Sequence, residues 1–381
     1  MKIALIGQKG IPTKQGGIEK HVEELSTRLA RAGFDVTVYS RAYYTGNYKN
    51  SYTYQGVKII NLPSIKTKNL DAITHTLFAS IDSLFKDYDI IHYHGVGPSL
   101  LSWIPRLFKP KAKVIATFHC IDRYHQKWGG FARFMLGLGE WAACRFPHQT
   151  ITVSETLKKY CKYRFDRETS YIPNGVQLIE NKNSNDILKK YNLEKNGYLI
   201  AVSRLIQHKG IHTLIKAYQQ LKTEKKLVLV GTGANTDNYV NYLKNLSANN
   251  DKIIFTGQKS GGDLETLFKN SYLFIQPSEA EGLSIALLEA MAYNIPVLIS
   301  DIEENREAVK GFALEFKNKD IEDLARKLNF ACDNPKIIKD KAQLAKTRVD
   351  KEYGWDNIVK QTISLYQEIM PEKRRLALKK A

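Results

Sequence analysis

Tyr198-Leu199-Ile200-Ala201-Val202 is an apolar run past the middle of a 381-residue chain, and it repeats the way the chain opens, Ile3-Ala4-Leu5-Ile6-Gly7. A short, unbroken apolar run followed by a turn is what a strand buried on both faces of a parallel sheet requires. After the first run, Ile18, Val22, Leu25, Leu29 and Ala32 recur at helical spacing, Gly33 stops that helix, and Val36-Thr37-Val38-Tyr39 resumes a strand. Further strands are expected at Val57–Leu62, Ile90–His92, Lys113–Thr117 and Thr150–Val153. The second run is followed by strands at Leu227–Val230, Ile253–Phe255, Leu273–Ile275 and Val297–Ile299. Helices are expected near 211–221, 237–248, 263–269, 284–292 and 320–332. Strand–helix alternation that restarts once predicts an α/β chain of two doubly wound domains, with ligands at the carboxyl ends of the strands.

The first domain is expected over residues 1–175 and a linker over 176–196, with a polar stretch from Asn181 to Asn185. The second domain is placed at 197–353. Residues 354–381 hold an amphipathic helix, Trp355 to Met370, and a basic tail, Lys373-Arg374-Arg375 to Lys380. Four separated cysteines, Cys120, Cys144, Cys161 and Cys332, fit neither a disulfide framework nor a zinc ribbon, and point to a reducing cytosol. No apolar stretch reaches the ~18–20 residues that span a bilayer. The formal charge is +18, and the imbalance is concentrated in residues 1–175. A cationic first half suits a polyanionic partner, whether a phosphorylated ligand, a nucleic acid or an anionic membrane, or else serves solubility.

Glycines mark the ends of several strands. Gly16-Gly17 precedes the first helix, where backbone N–H groups can hold phosphate oxygens or simply form a turn. The run from Gly7 to Gly17 fits neither Gly-x-Gly-x-x-Gly nor Gly-x-x-x-x-Gly-Lys-Ser/Thr. In the second half Arg204 and Lys209 follow the first strand, Gly231-Thr232-Gly233 the next, and Gly257-Gln258 the one beyond. Two cations at the mouth of a sheet suit a diphosphate that gains charge as a bond to it breaks. The densest element is Glu281-Gly282-Leu283-Ser284-Ile285-Ala286-Leu287-Leu288-Glu289. Gly282 and Leu283 are expected to offer N–H groups at a helix start, between two carboxylates able to accept hydrogen bonds from hydroxyls.

With Arg204 and Lys209 upstream and Gly16-Gly17 near the start, Glu281-x7-Glu289 resembles the retaining nucleotide-sugar glycosyltransferases of family 4, which have the two-domain GT-B fold. The resemblance covers nearly the whole chain. It includes Gly16-Gly17-Ile18-Glu19, His92-Tyr93-His94-Gly95, Val153-Ser154-Glu155 and Ile172-Pro173-Asn174-Gly175-Val176. Asp301-Ile302-Glu303-Glu304-Asn305 is similar to a bacterial branch that builds capsule, O-antigen or exopolysaccharide and is rhamnosyltransferase-like.

This resemblance implies two Rossmann-like domains facing a cleft, with the C-terminal helix crossing back to the first. Arg204 and Lys209 would bind the donor diphosphate and stabilise it as leaving group. Glu281 would bind donor sugar hydroxyls, with Gly282, Leu283 and Ser284 touching phosphate, and Glu289 the ribose. Gln258 and its neighbours, Gly257 among them, would meet the base, while Gly231 and Gly233 extend the rim. The Gly16-Gly17 loop would close over phosphate and acceptor. His119 would face the reacting sugar, whereas His92 and His94 are left as structural. Asp122, Arg123, Lys127 and Trp128 are placed on the acceptor side. The branch usually has glycine where this chain has Cys120, so the acceptor or sugar preference is expected to differ.

The resemblance further implies retention of configuration with no metal and no cofactor, a nucleotide-sugar being the co-substrate. A UDP-sugar is the favoured donor and dTDP-rhamnose the runner-up. The expected acceptor is a glycan linked to undecaprenyl diphosphate. Residues 101–113 and 127–146 interleave Trp103, Ile104, Leu107, Phe108, Trp128, Phe131, Phe134, Met135, Trp141 and Phe146 with Lys and Arg, which suits the inner face of an anionic membrane, or else a core of aromatics with solvated charges. The expected localisation is therefore cytoplasmic and peripheral. No nucleic-acid motif is present, and the alternatives are a basic nucleic-acid-binding α/β protein or a nucleotide-sugar epimerase.

Overall fold

Short, mostly apolar runs alternating with helices assemble into two sheets. A computed structural model describes residues 1–67, 70–124, 129–176, 186–234 and 236–371. The chain divides into two compact units, Met1–Gly175 together with the segment from Trp355 onward, and Val176–Gly354. The expected polar stretch from Asn181 to Asn185 and the tail from Lys373 to Lys380 lie outside the described residues.

The first unit contains β1 (Lys2–Ile6), β2 (Asp35–Ser40), β3 (Ser51–Tyr54), β4 (Val57–Asn61), β5 (Ile90–His94), β6 (Lys113–Phe118), β7 (Gln149–Thr152) and β8 (Ser170–Tyr171). They pair in the order β3-β4-β2-β1-β5-β6-β7-β8. All pairs are parallel except β3 with β4, an antiparallel hairpin at the edge. The chain order reverses between β2 and β5 around β1, and such a switch opens a crevice at the carboxyl end of the sheet. At that end Gly7 has φ +117°, and a Cβ there would strike the carbonyl of His94. The turn therefore needs glycine.

The helix Trp355–Glu368 belongs to this first unit. Trp355, Ile358, Val359, Leu365, Tyr366 and Met370 join one core with Ile3, Leu5, Val22, Leu25 and Val36. Burying each such large side chain contributes roughly 1.5–3 kcal/mol. Gly175 makes room for it, since a Cβ there would collide with the indole of Trp355.

The second unit contains β9 (Tyr198–Val202), β10 (Lys226–Val230), β11 (Ile253–Gly257), β12 (Leu273–Gln276), β13 (Val297–Ser300) and β14 (Leu314–Phe316). Their order is β11-β10-β9-β12-β13-β14, all parallel. The order reverses at β9, so the loops after β9 and β12 flank the switch point. Three strands were not foreseen: β3 and β8 are short edge strands, and β14 is only three residues long. The helix Pro335–Glu352 was also missed.

Candidate active site

The switch point of the second unit brings its two chemically distinctive loops together. Leu205 and Ile206, both buried, pin the loop that follows β9. Gly210 closes that loop at φ +67°, where a Cβ would overlap the carbonyl of Pro277 in the loop after β12. The backbone N–H of Glu279 donates to the carbonyl of His208 at 2.8 Å. With the loops laced in this way, Nζ of Lys209 lies 2.5 Å from Oε1 of Glu281, their side chains 14% and 8% exposed. Nε2 of Gln276 donates to the same oxygen at 2.5 Å and to Oγ of Ser278 at 2.9 Å. Both bonds to Glu281 fall on Oε1, which ties that oxygen to Lys209 and to Gln276 at the end of β12. Arg204, on the same loop as Lys209, is exposed.

Behind this pair, Oγ of Ser300 donates to the carbonyl of Ser278, and Nδ2 of Asn305 donates to Oγ of Ser300 at 2.9 Å. These groups carry no chemistry themselves, but they fix the loop bearing Glu281. Burial, then the neighbouring charges of Glu281, Glu303 and Glu307, push the carboxyl of Glu304 above the usual range, against a backbone hydrogen bond that lowers it. Gln276, Ser278 and Ser300 escaped the sequence reading because polar residues at strand ends are common. The sheet order is what places them beside Glu281.

The helix expected to open near Leu283 begins at Ile285 instead, so Gly282 and Leu283 belong to the loop before it. The cause is Ser284, the N-cap, whose Oγ accepts from the N–H of Leu287 at 3.3 Å. Glu289 lies in this eight-residue helix and is half-buried. Gly231 lies at φ +142°, where a Cβ would meet the carbonyl of Ser203. Gly233 follows in the same loop, packed against Val240. Gly257 ends β11 at φ +69°, and Gln258 beside it is exposed.

At the switch point of the first unit the structure builds a group of imidazoles. His21 comes from the helix Gly17–Arg31, His92 and His94 from β5, and His119 from the end of β6; all four are buried. Nδ1 of His94 lies 3.2 Å from Nε2 of His119. His92 lies beside His94 with centroids 4.2 Å apart, and His21 meets His119 edge-on at 5.0 Å. His92 is anchored at both ends, 2.7 Å from the hydroxyl of Tyr366 and 2.7 Å from Oγ1 of Thr117. Burial holds His94 and His119 well below the usual imidazole range, with repulsion from neighbouring histidines adding to it. Burial also lowers His21 to about 4, against a hydrogen bond with Asn174 that raises it. Among the described residues, His21, His94 and His119 are the one group of three able to offer a metal ligand atoms within 4.8 Å of one another.

Gly16 is the N-cap and Gly17, expected before the helix, is its first residue, and the helix start carries its own carboxylate. A Cβ on Gly16 would collide with Oε2 of Glu19, and Oε1 of Glu19 accepts from the N–H of Lys9 at 3.2 Å. Sγ of Cys120 donates to Oδ1 of Asp122 at 3.3 Å. Arg123 turns inward, its Nε 3.3 Å from the fully buried carboxylate of Glu140 and its NH2 group 2.7 Å from the hydroxyl of Tyr160. It anchors the loop after β6. Lys127 and Trp128 lie outside the described residues.

The chain matches the family model "Glycosyltransferase Family 4" over residues 15–179 and "Glycosyl transferases group 1" over residues 183–348. It is 26% identical over 413 aligned residues to an uncharacterized glycosyltransferase of Methanocaldococcus jannaschii, covering 97% of this chain and 99% of the relative. It is 32% identical to the O-antigen chain mannosyltransferase RfbU of Salmonella typhimurium, over 52% of this chain and 54% of that protein. It is 26% identical to the N,N'-diacetylbacillosaminyl-diphospho-undecaprenol alpha-1,3-N-acetylgalactosaminyltransferase of Campylobacter jejuni, over 59% and 62%. Among solved structures, sucrose-phosphate synthase from Thermosynechococcus elongatus matches with a TM-score of 0.83 at 21% identity, over 97% and 98% of the two chains. The Anabaena protein HepE in complex with UDP-glucose matches with 0.77 at 16% identity, over 97% and 100%.

Proposed function

Because the chain is a glycosyltransferase of GT-B fold, assembled from a Family 4 domain and a group 1 domain, we propose that it is a retaining, metal-independent hexosyl- or deoxyhexosyltransferase acting on a lipid-linked glycan in bacterial surface polysaccharide synthesis. The observation that carries the donor half is the contact of Lys209 with Glu281 at the switch point of the second sheet. A cation and a carboxylate fixed side by side match a ligand that presents phosphate and hydroxyl groups side by side.

In this reading Lys209 and Arg204 take up the charge that develops on the diphosphate as the glycosidic bond breaks, the role a divalent cation fills in other transferases. Glu281 accepts hydrogen bonds from the sugar hydroxyls, Glu289 from the ribose, and Gln258 lies toward the base. The acceptor hydroxyl attacks the anomeric carbon from the face the diphosphate leaves. Its proton passes to the departing phosphate oxygen, so no protein base is consumed and configuration is retained. A glycosyl–Glu281 adduct trapped in a slow variant would replace this route by a covalent one.

The relatives support the choice of substrates. The Campylobacter relative is named for an undecaprenol-diphosphate acceptor and the Salmonella relative for O-antigen, while HepE binds UDP-glucose. A UDP-sugar is therefore the first donor to test, with dTDP-rhamnose second. The surface of the first unit supports contact with an anionic leaflet. Of the aromatic and apolar side chains expected there, Leu107, Phe108, Phe131, Phe134 and Trp141 are exposed, among exposed Arg106, Arg133 and Arg145. Ile104 is core. The helix Asp71–Leu84 adds Leu77, Phe78 and Ile81, with Phe85 just beyond it, all exposed and unforeseen from sequence. Among the described residues, no helix is long and apolar enough to cross a membrane. Thermal stabilisation by UDP, dTDP, GDP and ADP tests the donor: one nucleotide should raise the unfolding midpoint, and none doing so contradicts the reading.

A further inference from the structure

The proton between His94 and His119 can be placed from the surroundings of His94. Nδ1 of His94 and Nε2 of His119 are 3.2 Å apart, a hydrogen-bond distance, with the rings stacked at an interplanar angle of 30°. Burial keeps both imidazoles neutral at ordinary pH, so each ring has one N–H and one lone pair. The other nitrogen of His94, Nε2, is buried without a hydrogen-bond partner among the described residues. A buried N–H lacking an acceptor is rarer than an acceptor lacking a donor. The proton of His94 therefore belongs on Nδ1, which donates to Nε2 of His119. Since Nε2 of His119 accepts, the proton of His119 sits on Nδ1.

We propose that His94 is a positioning residue for the transfer: it fixes His119 as the Nδ1–H tautomer, so that His119 offers an N–H donor to an oxygen of the transferring sugar. The part concerning sugar rests on the reading of His119 as the residue facing the donor. The surroundings hold His94 in place for this task. His92 lies against it with ring centroids 4.2 Å apart, itself clamped between Tyr366 of the C-terminal helix and Thr117 of β6. His94 and His92, assigned to structure from sequence, thus connect the C-terminal helix to the one histidine assigned to the reaction.

The test uses the full-length protein with ¹⁵N-labelled histidine and no donor, reading the His119 tautomer from two-bond ¹⁵N–¹H correlations. Protonation at Nδ1 in the wild type is expected, and protonation at Nε2 would overturn the proposal without any variant being needed. His94→Leu removes the donor and should leave His119 in a tautomer mixture. His94→Asn keeps an amide N–H where Nδ1 stood and should preserve the wild-type tautomer. In donor cleavage His94→Leu should lower kcat about tenfold, the worth of one hydrogen bond, with KM little changed and most of the loss restored in His94→Asn. Equal losses in the two variants, or an unchanged tautomer in His94→Leu, would contradict it. A wild type that cleaves no nucleotide-sugar while showing the Nδ1–H tautomer would instead overturn the transferase reading of His119 and leave the tautomer assignment intact.

Discussion

Lys209 and Glu281 lie 72 positions apart in sequence and meet at 2.5 Å, one from the loop after β9 and the other from the loop after β12. The pair gives the site internal charge balance. A diphosphate approaching Lys209 must share it with a carboxylate whose Oε1 also accepts from Gln276.

This pairing predicts a non-additive mutational pattern. Lys209→Met strands a carboxylate that is 8% exposed and should cost about 3 kcal/mol in urea unfolding, the low end for a buried pair because Lys209 keeps some exposure. Lys209→Met with Glu281→Gln strands no charge and should recover at least half of that loss. Equal destabilisation in single and double variants would show that the loss does not come from a stranded carboxylate.

The histidine group predicts acid sensitivity. His21 is lowered to about 4 and His92 to about 3, in both cases chiefly by burial. An unfolded chain takes up these protons near pH 6.5 and the folded one does not. Stability carried by these groups is thus complete above pH 6.5 and falls as pH drops toward 4. Urea midpoints across that range should fall, and His92→Gln should reduce the slope by about one proton. A slope unchanged in His92→Gln would contradict the burial of a neutral ring.

Much of this was legible in the sequence, for identifiable reasons. Unbroken runs such as Tyr198–Val202 were plainest among the eleven foreseen strands, because burial on both faces leaves no polar alternation there. β14 escaped because three residues carry no period, and β3 because its alternate residues face solvent. The helix Pro335–Glu352 buries Ile338, Ala342, Ala345 and Val349, a stripe at helical spacing that small alanines made easy to overlook. Lys209 and Glu281 were each visible beside a glycine. That they touch, and that Gln276 joins them, depends on the order of the sheet, which local sequence does not encode. Arg123, expected on the acceptor side, was read without its partner because Glu140 is a single carboxylate in an apolar helix.

Membrane contact is predicted from the exposed apolar residues of the first unit. The protein should sediment with anionic but not neutral liposomes, and molar salt should release it. Phe108→Ser with Leu107→Ser should weaken binding to anionic vesicles at least severalfold, because both side chains are more than 60% exposed. Equal recovery with neutral and anionic lipid would remove the claim.

Cys120 stands where the resemblance implies glycine, and its thiol donates to Asp122. Cys120→Gly should leave the thermal midpoint nearly unchanged, because the side chain is only half-buried. It should alter KM for the acceptor or the preference among donor sugars. Identical KM values and identical donor ranking would show that this position does not reach the substrates.

The most direct test of the donor site is cleavage of the donor itself. Incubated with UDP-, dTDP-, GDP- and ADP-sugars, the wild type should release one nucleoside diphosphate, slowly without acceptor and faster with an undecaprenyl-diphosphate-linked glycan. Lys209→Ala and Glu281→Gln should each lower that rate by about 10²–10³-fold, as expected for groups that act on developing charge. No release from any donor, or variants as active as the wild type, would contradict a donor site built on Lys209 and Glu281.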